Sequence, residues 1–194
     1  MNRLIVLESM KFEPLFESEN NLLVRISDGE KILTLNPPMY DIEALAGGKD
    51  FYVAGLNIPS SKIEPEAGVY DEEFLAGLRT VLKEIEESGR FVFVIPEFSA
   101  ENPLNEDETD YFIKAFSHTA RRIKDARSVI GFALPAALIS ADGITSFDTG
   151  SRTALFMEEL SAKHGHYLYF ADESLILPLG LESKIRKTDI ILFK

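Results

Sequence analysis

The chain has 194 residues, of which 45% are hydrophobic and 27% charged, a composition typical of a globular protein with a sizeable core. Its 32 Asp and Glu residues outnumber 20 Lys and Arg residues, which gives a formal net charge of −12. Nucleic acids and anionic membrane surfaces attract basic proteins, so this charge argues against both as partners. We therefore expect a single domain over residues 1–194 that binds neither.

The sequence predicts no signal peptide, no membrane-spanning helix and no cysteine chemistry. Residues 1–8 lack a full apolar core and a small-residue cleavage site, which argues against a signal peptide. No apolar run approaches the roughly 20 residues that a membrane-spanning helix needs. The chain contains no cysteine, which excludes disulfides, thiol nucleophiles and thiolate metal sites. A cytoplasmic protein is the expectation.

The first 30 residues predict an antiparallel segment. Residues 3–9 are a short apolar strand candidate. Asp28-Gly29 lies between the β-rich runs 22–26 and 32–35, and Asp-Gly in such a setting is typical of a hairpin turn.

From residue 31 onward, strand patterns alternate with helix patterns. Strands are predicted at 51–58, 91–95, 129–134, 167–171 and 189–193. Helices are predicted at 40–46, from Asp71 to Gly89, from Asn105 to 125, at 151–163 and at 181–186, with a loop over 140–150. This alternation indicates βαβ units and a mainly parallel sheet. Right-handed crossovers then permit either an open doubly wound sheet or a barrel.

The helix that begins at Asn105 is the clearest element. Asn105 with Glu108 three residues later is typical of a capping box. Apolar side chains then recur on one helical face, at Phe112, Phe116, Ala120 and Ile123. An apolar strand follows, which indicates a strand covered on both faces.

These segments resemble a known family. Ala-Arg-Arg-Ile-Lys-Asp (120–125) followed by Val-Ile-Gly-Phe-Ala-Leu-Pro (129–135) is similar to the third helix and fourth strand of cellulase-like glycoside hydrolases of family 5. Residues 68–75 with 89–92, and 41–45 with 51–53, are similar to the helices and strands before them. The resemblance covers about residues 31–135 and implies a TIM-like barrel and glycoside hydrolysis. The family's fourth strand runs into Asn-Glu-Pro, whose Glu is the acid/base, whereas here Leu134 is followed directly by Pro135.

The number of strands limits the barrel. A full barrel has eight strands and usually about 250 residues. About six such strands can be counted from Ile32 onward. The sequence therefore predicts an α/β fold, a shortened or incomplete TIM-like barrel with mainly parallel strands. An N-terminal antiparallel hairpin (residues 1–30) could cover its open side, with βα units over 31–194.

Candidate site residues follow the predicted strands, because sites of parallel α/β folds lie beyond the carboxyl ends of the strands. The strand exits carry Asn36, Asn57, Glu97, Ser140 with Asp142, and Asp172 with Glu173. Glycoside hydrolysis needs two carboxyl groups, about 5–5.5 Å or 6.5–9.5 Å apart.

Glu97 and Glu173 form the best candidate catalytic pair. Neither lies where the family places its own two carboxylates, so no role is carried over to them. Strand ends also carry polar residues simply because the chain reaches the surface there.

Candidate ligand-binding residues are Asn36, Tyr40, Asn57, Phe98, Asp142 and Asp172. Sugar sites use aromatic faces, and the chain has no Trp, which leaves Tyr40, Phe98 and Phe147 in predicted loops. Each could instead anchor its loop to the core. His164 and His166 lack an evident third ligand, so a structural role is favoured over a metal site. We expect neither a metal nor a cofactor.

Three functions remain open. The first is a glycoside-hydrolase-like protein without the family's catalytic pair, which binds a carbohydrate or another small polar ligand or serves as a scaffold. The second is an active glycosidase that uses Glu97 and Glu173. The third is an interaction protein, a homodimer in which a second copy covers the open strand edges.

Overall fold

The computed structural model describes residues 13–32, 36–47, 50–98 and 104–194. The strand predicted at 3–9 and residues 33–35 of the strand predicted at 32–35 lie outside these ranges. Among the described residues, no helix is both long enough and apolar enough to cross a membrane.

A small antiparallel sheet opens the described chain. It contains β1 (Phe16–Glu19), β2 (Leu22–Arg25) and β3 (Lys31–Ile32), in that order. Asn20 and Asn21, with φ of 55° and 63°, make the tight turn between β1 and β2. Gly29, at φ 71°, lies in the turn before β3. The hairpin predicted around Asp28-Gly29 is therefore confirmed.

A parallel sheet of six strands follows. The strands are β4 (Met39–Tyr40), β5 (Val53–Pro59), β6 (Phe91–Glu97), β7 (Val129–Ala133), β8 (Leu168–Asp172) and β9 (Ile191–Phe193). Their spatial order is the same as their order in the chain. An open doubly wound sheet reverses its strand order at one point, whereas a barrel does not. The sheet is thus six strands of a TIM-like barrel, as predicted.

Helices connect the strands. They are α1 (Ile42–Ala46), α2 (Ser60–Ile63), α3 (Glu72–Glu87), α4 (Glu106–Ile123), α5 (Ala136–Asp142), α6 (Arg152–Ser161), α7 (Glu173–Ile176) and α8 (Glu182–Ile185). Asp71 caps α3 by accepting a hydrogen bond from the Phe74 amide, and Gly89 follows this helix at φ 69°. The capping box of α4 is present, with both the Asn105 and the Glu108 side chains bonded as predicted.

Two predicted boundaries were wrong. The first parallel strand is Met39–Tyr40, whereas the sequence predicted a strand at 32–35 and a helix from residue 40. The turn at Asp28-Gly29 pairs Ile32 with Leu23, which places Ile32 in the antiparallel sheet. Asp41 then caps α1, so the helix begins only at Ile42.

The second wrong boundary concerns residues 140–150, which were predicted to form a loop. α5 runs to Asp142, and a short 3-10 helix, Gly143–Thr145, follows it. The apolar run from Val129 to Ile139 combines a buried strand and a buried helix, which hydrophobicity does not distinguish.

The core has two parts on opposite faces of the parallel sheet. The larger part lies between the outward-facing strand residues, such as Leu56 and Val94, and the helices. The smaller part lies inside the curve of the sheet, where Phe93 and Phe170 stack with ring centroids 4.3 Å apart. Phe16 of β1 packs there on Phe91, at 4.8 Å between centroids. The antiparallel sheet therefore fills the amino-terminal end of the open barrel.

Candidate functional site

A cleft of about 610 Å³ opens at the carboxyl ends of the parallel strands. Its lining comes from all six parallel strands and from the helices that follow β7 and β8. The lining residues are Met39, Asn57, Ile95, Pro96, Glu97, Phe98, Ala133, Leu134, Ala136, Ala137, Asp172, Leu175 and Phe193.

Strand alternation directs three polar side chains into this cleft. Side chains on a strand point alternately to its two faces. Glu97 therefore shares the inner face with Phe93 and Ile95, and Asp172 shares it with Phe170. Asn57 shares it with Val53 in the same way.

Glu97 and Asp172 stand at the same height along the barrel. Val94 of β6 pairs with Phe132 of β7, and Phe132 pairs with Tyr169 of β8. Glu97 and Asp172 each follow this row by three residues. One strand separates them, and neighbouring strands lie about 4.8 Å apart, so their backbones are roughly 10 Å apart. Pro135 occupies the corresponding position after β7.

The floor of the cleft is apolar and closely packed. Gly55 lies beneath Met39 and Ile95, and a Cβ atom at Gly55 would come 2.6 Å from the Ile95 Cδ1 atom. The Phe193 ring packs on Phe93 at 5.1 Å between centroids. These contacts close the bottom of the cleft with apolar side chains.

The polar groups of the cleft have unused hydrogen-bonding capacity. The Asp172 Oδ1 atom accepts a hydrogen bond from the Ser174 amide, 2.7 Å away, and so caps α7. Within the described ranges, the side chains of Glu97 and Asn57 have no hydrogen-bond partner. Among the residues that the structure describes, the lining contains no Lys, Arg or His. This described part of the cleft therefore offers carboxylate and amide groups without a compensating cation.

Glu173, the second predicted catalytic residue, does not line the cleft. It is the first residue of α7, and its carboxylate lies 3.3 Å from the Lys194 ammonium. Strand β8 ends at Asp172, and the helix that begins at Glu173 changes the direction of the next side chain. The structure thus brings Glu97 together with Asp172 and leaves Glu173 outside.

Two other predicted polar residues are also placed elsewhere. Asn36 is exposed and precedes the first parallel strand, because that strand is Met39–Tyr40. Asp142 lies at the end of α5, where its carboxylate accepts hydrogen bonds from the Arg152 and Thr153 amides. It anchors the start of α6, on a separate groove between α4, α5 and α6.

The three aromatic residues predicted as binding candidates do not all reach the cleft. Phe98 lines the cleft and packs edge-on against Phe112, at 5.7 Å between centroids. Tyr40 and Phe147 pack against the outer core, and Tyr40 contacts Phe51 at 5.7 Å between centroids. Phe98 is thus the aromatic candidate that reaches the site, and Phe193, which the sequence analysis missed, joins it.

Histidines do not form a metal centre in the described chain, where no group of three or more His, Asp or Glu residues could hold an ion. His164 is 6% exposed, and burial lowers its pKa from the ordinary value of 6.5 to about 4. Burial also lowers the pKa of His166. His118 stacks on Tyr70 at 4.0 Å between centroids, and its Nε2 lies 2.9 Å from the Glu72 carboxylate.

Helices α5 and α7 also form part of the cleft walls, through Ala136, Ala137 and Leu175, and this was not predicted from the sequence. Hydrophobicity alone gave no sign of α5. Strand alternation was a usable signal for Asp172, since an inner-facing Phe170 implies an inner-facing residue two positions later.

No family model matches the sequence, and no curated protein does. The structure is similar to solved structures of endoglycoceramidases. An endogalactoceramidase has a TM-score of 0.61 at 13% identity, over 84% of this chain and 54% of that one. Endo-glycoceramidase II from Rhodococcus sp. has a TM-score of 0.54 at 11% identity in its complex with a cellobiose-like isofagomine. That match covers 82% of this chain and 52% of the other.

The same enzyme as a lactosyl-enzyme intermediate has a TM-score of 0.55 at 13% identity, with the same coverage of 82% and 52%. The chain thus spans about half the length of these structures. At this identity the similarity concerns the fold, and for the fold it agrees with the resemblance to glycoside hydrolases of family 5.

Proposed function

We propose that the chain binds a carbohydrate, or another small polar ligand, in the cleft at the carboxyl ends of its parallel strands. The observation that carries this proposal is the set of three inward polar side chains, Asn57, Glu97 and Asp172, in a cleft with an apolar floor. A volume of about 610 Å³ suits a small ligand, since ligand pockets typically measure about 300–1,000 Å³. A pure scaffold role would predict side chains that fill this space, and the space is open.

The wall chemistry supports a sugar-sized ligand. Carbohydrates combine hydroxyl groups with apolar C–H faces, so they need hydrogen-bonding groups beside flat apolar surface. Asn57, Glu97 and Asp172 supply the former, while Phe98 and Phe193 supply the latter. The fold similarity to carbohydrate-active endoglycoceramidases is consistent with such a ligand.

Binding is favoured over hydrolysis because of the exit of β7. The family's acid/base follows the fourth parallel strand, and here Leu134 and Pro135 occupy that place. Leu134 is 3% exposed and packs in the outer core. No carboxylate therefore reaches the cleft from this strand.

A titration tests the binding proposal. Amide chemical shifts of the labelled protein are followed while a panel of β-linked disaccharides is added, including cellobiose, lactose and an aminated disaccharide. We expect shifts around Asn57, Glu97 and Asp172, and a weaker response in Asn57→Leu and Glu97→Gln variants. Glu87→Gln, an exposed position on α3, is the matched control. Absence of any shift near the cleft for every sugar would sink the proposal.

Hydrolysis by relocated carboxylates is a second candidate function. Glu97 and Asp172 lie at the same height in the barrel, so they are a better catalytic pair than Glu97 and Glu173, the pair predicted from the sequence. Backbones roughly 10 Å apart with both side chains directed inward are compatible with the wider carboxyl spacing of about 6.5–9.5 Å used by inverting enzymes. Release of sugar from β-linked oligosaccharides, abolished by both Glu97→Gln and Asp172→Asn, would establish it. Equal release by the wild type and both variants would exclude this pair.

A homodimer remains a separate proposal. The Leu192 amide on the outer side of β9 already donates to the Asn21 carbonyl, 3.3 Å away. A strand-to-strand dimer through the parallel sheet would therefore be expected at its other edge, β4, beside Pro37 and Pro38. Size-exclusion chromatography with light scattering at several concentrations tests it, and a monomer throughout that range removes it.

A further inference from the structure

We infer that the cleft prefers a ligand with a positively charged amine, an amino sugar above all, over neutral and anionic ligands of the same size. This inference rests on the proposed binding function and specifies its ligand class. Its basis is the pair of inward carboxylates, Glu97 and Asp172, in a lining whose described residues include no Lys, Arg or His.

The two carboxylates lack a nearby counter-charge in the described chain. Lys194 follows Phe193 of the cleft wall, but its ammonium pairs with Glu173, which lies outside the lining. No ion pair is formed by Glu97 or by Asp172 among the residues that the structure describes. A bound amine would supply the missing positive charge.

Unused acceptor positions make this attraction directional. Asp172 uses its Oδ1 atom on the Ser174 amide, which leaves its Oδ2 atom to accept from a ligand. The Glu97 carboxylate is half-buried and has both oxygens available within the described ranges. An ammonium group has three N–H donors and no acceptor, so it fits a site built from carboxylate oxygens and the Asn57 amide oxygen.

Apolar walls strengthen the preference. Apolar side chains of Ile95, Leu175 and Phe193 line the cleft together with the carboxylates. Opposite charges attract more strongly where the local dielectric constant is lower than that of water. An anionic ligand would place a third negative charge beside two carboxylates, so the same walls increase discrimination against it.

Calorimetric titrations at pH 6 and low salt test the inference. The probes are the β-1,4-linked disaccharide of glucosamine, its di-N-acetylated counterpart and cellobiose, with a uronic acid disaccharide as the anionic probe. We expect the amine to bind at least about tenfold more tightly than the neutral sugars, as expected for a charge-assisted hydrogen bond. Its affinity should fall as salt is added, because salt screens charge attraction.

Two variants test whether Glu97 and Asp172 cause the preference for the amine. Glu97→Gln and Asp172→Asn should each bring the affinity for the amine close to that for cellobiose, while the control Glu87→Gln should leave it unchanged. Circular dichroism melts verify that each variant is folded. Should either variant fail to fold, the salt dependence of the wild-type protein still separates charge attraction from neutral recognition.

The outcomes distinguish this inference from the proposed function. Equal affinity for amine and neutral sugars would overturn the inference and leave carbohydrate binding in place. Tighter binding of the anionic sugar would overturn it as well. Absence of binding by all four probes would overturn both proposals.

Discussion

The side-chain amide nitrogen of Asn21 lies 2.7 Å from the carbonyl oxygen of Ile190, a residue 169 positions later in the chain. The same nitrogen is 3.0 Å from the carbonyl oxygens of Ile185 and Thr188. These contacts join the turn of the β1–β2 hairpin to the segment that leads into β9. The antiparallel sheet is thereby held at the amino-terminal end of the barrel, below the cleft.

Replacement of Asn21 should weaken the attachment of the β1–β2 turn to the segment before β9. We expect Asn21→Ala to lower the free energy of unfolding by about 1–3 kcal/mol, since it removes the side-chain donor to three carbonyl groups of this segment. Urea denaturation measures the change. Asn20→Ala is the matched control, because Asn20 also has a positive φ, of 55°, and is exposed. An equal loss in both variants would attribute the effect to backbone strain and not to the Asn21 contacts.

Gly131 should tolerate no side chain. A Cβ atom there would lie 2.7 Å from the Leu168 carbonyl carbon on the neighbouring strand β8. Because backbone cannot move aside as a flexible side chain does, we expect Gly131→Ala to destabilise the protein by several kcal/mol, or to prevent folding.

The control is Gly77→Ala in α3, where nothing lies within 4 Å. This change should stabilise the helix by up to about 1 kcal/mol, because alanine favours helix. Thermal melts of both variants measure the difference. A Gly131→Ala protein as stable as the wild type would contradict the close approach of β7 and β8.

His164 should make the protein less stable in mild acid. Burial lowers its pKa from 6.5 to about 4, and Lys124, Arg121 and Lys163 add positive charge around it. Between these two pH values the unfolded chain binds a proton at His164 and the folded chain does not. Stability should therefore be retained above pH 6.5 and fall by up to about 3 kcal/mol as the pH decreases to 4.

Urea denaturation at pH 7.5 and pH 4.5 measures this dependence. We expect His164→Leu to reduce this dependence. Burial lowers the pKa of His166 too, so part of the dependence should remain in the His164 variant. An unchanged pH dependence in His164→Leu would contradict the prediction.

The capping box of α4 should stabilise the folded protein through its two reciprocal hydrogen bonds. The Asn105 side chain accepts from the Glu108 amide at 2.8 Å, and the Glu108 carboxylate accepts from the Asn105 amide at 2.9 Å. We expect Asn105→Ala to reduce the free energy of unfolding by about 0.5–2 kcal/mol. A double-mutant cycle with Glu108→Ala tests the coupling, and strictly additive losses would indicate two independent caps.

Local sequence patterns specified the individual caps and turns of this fold. Asp71 and Asn105 as N-caps, Gly89 after α3 and the Asp28-Gly29 turn all form as predicted, because each depends on neighbours a few residues away. The alternation of patterns also predicted five of the six parallel strands, β5 to β9, but not β4. The resemblance to family 5 glycoside hydrolases chose the barrel over the doubly wound sheet.

Tertiary packing determines which carboxylates line the cleft. Glu173 and Asp172 are adjacent in sequence, and both follow an apolar strand, yet Asp172 alone lines the cleft. The difference depends on the residue at which β8 ends and on the register of three strands, both set by contacts between distant segments. Asn21 shows the same dependence, since nothing near it in sequence points to Ile190. Local sequence patterns specify caps, turns and strands, whereas side chains from separate strands converge only after packing fixes register and direction.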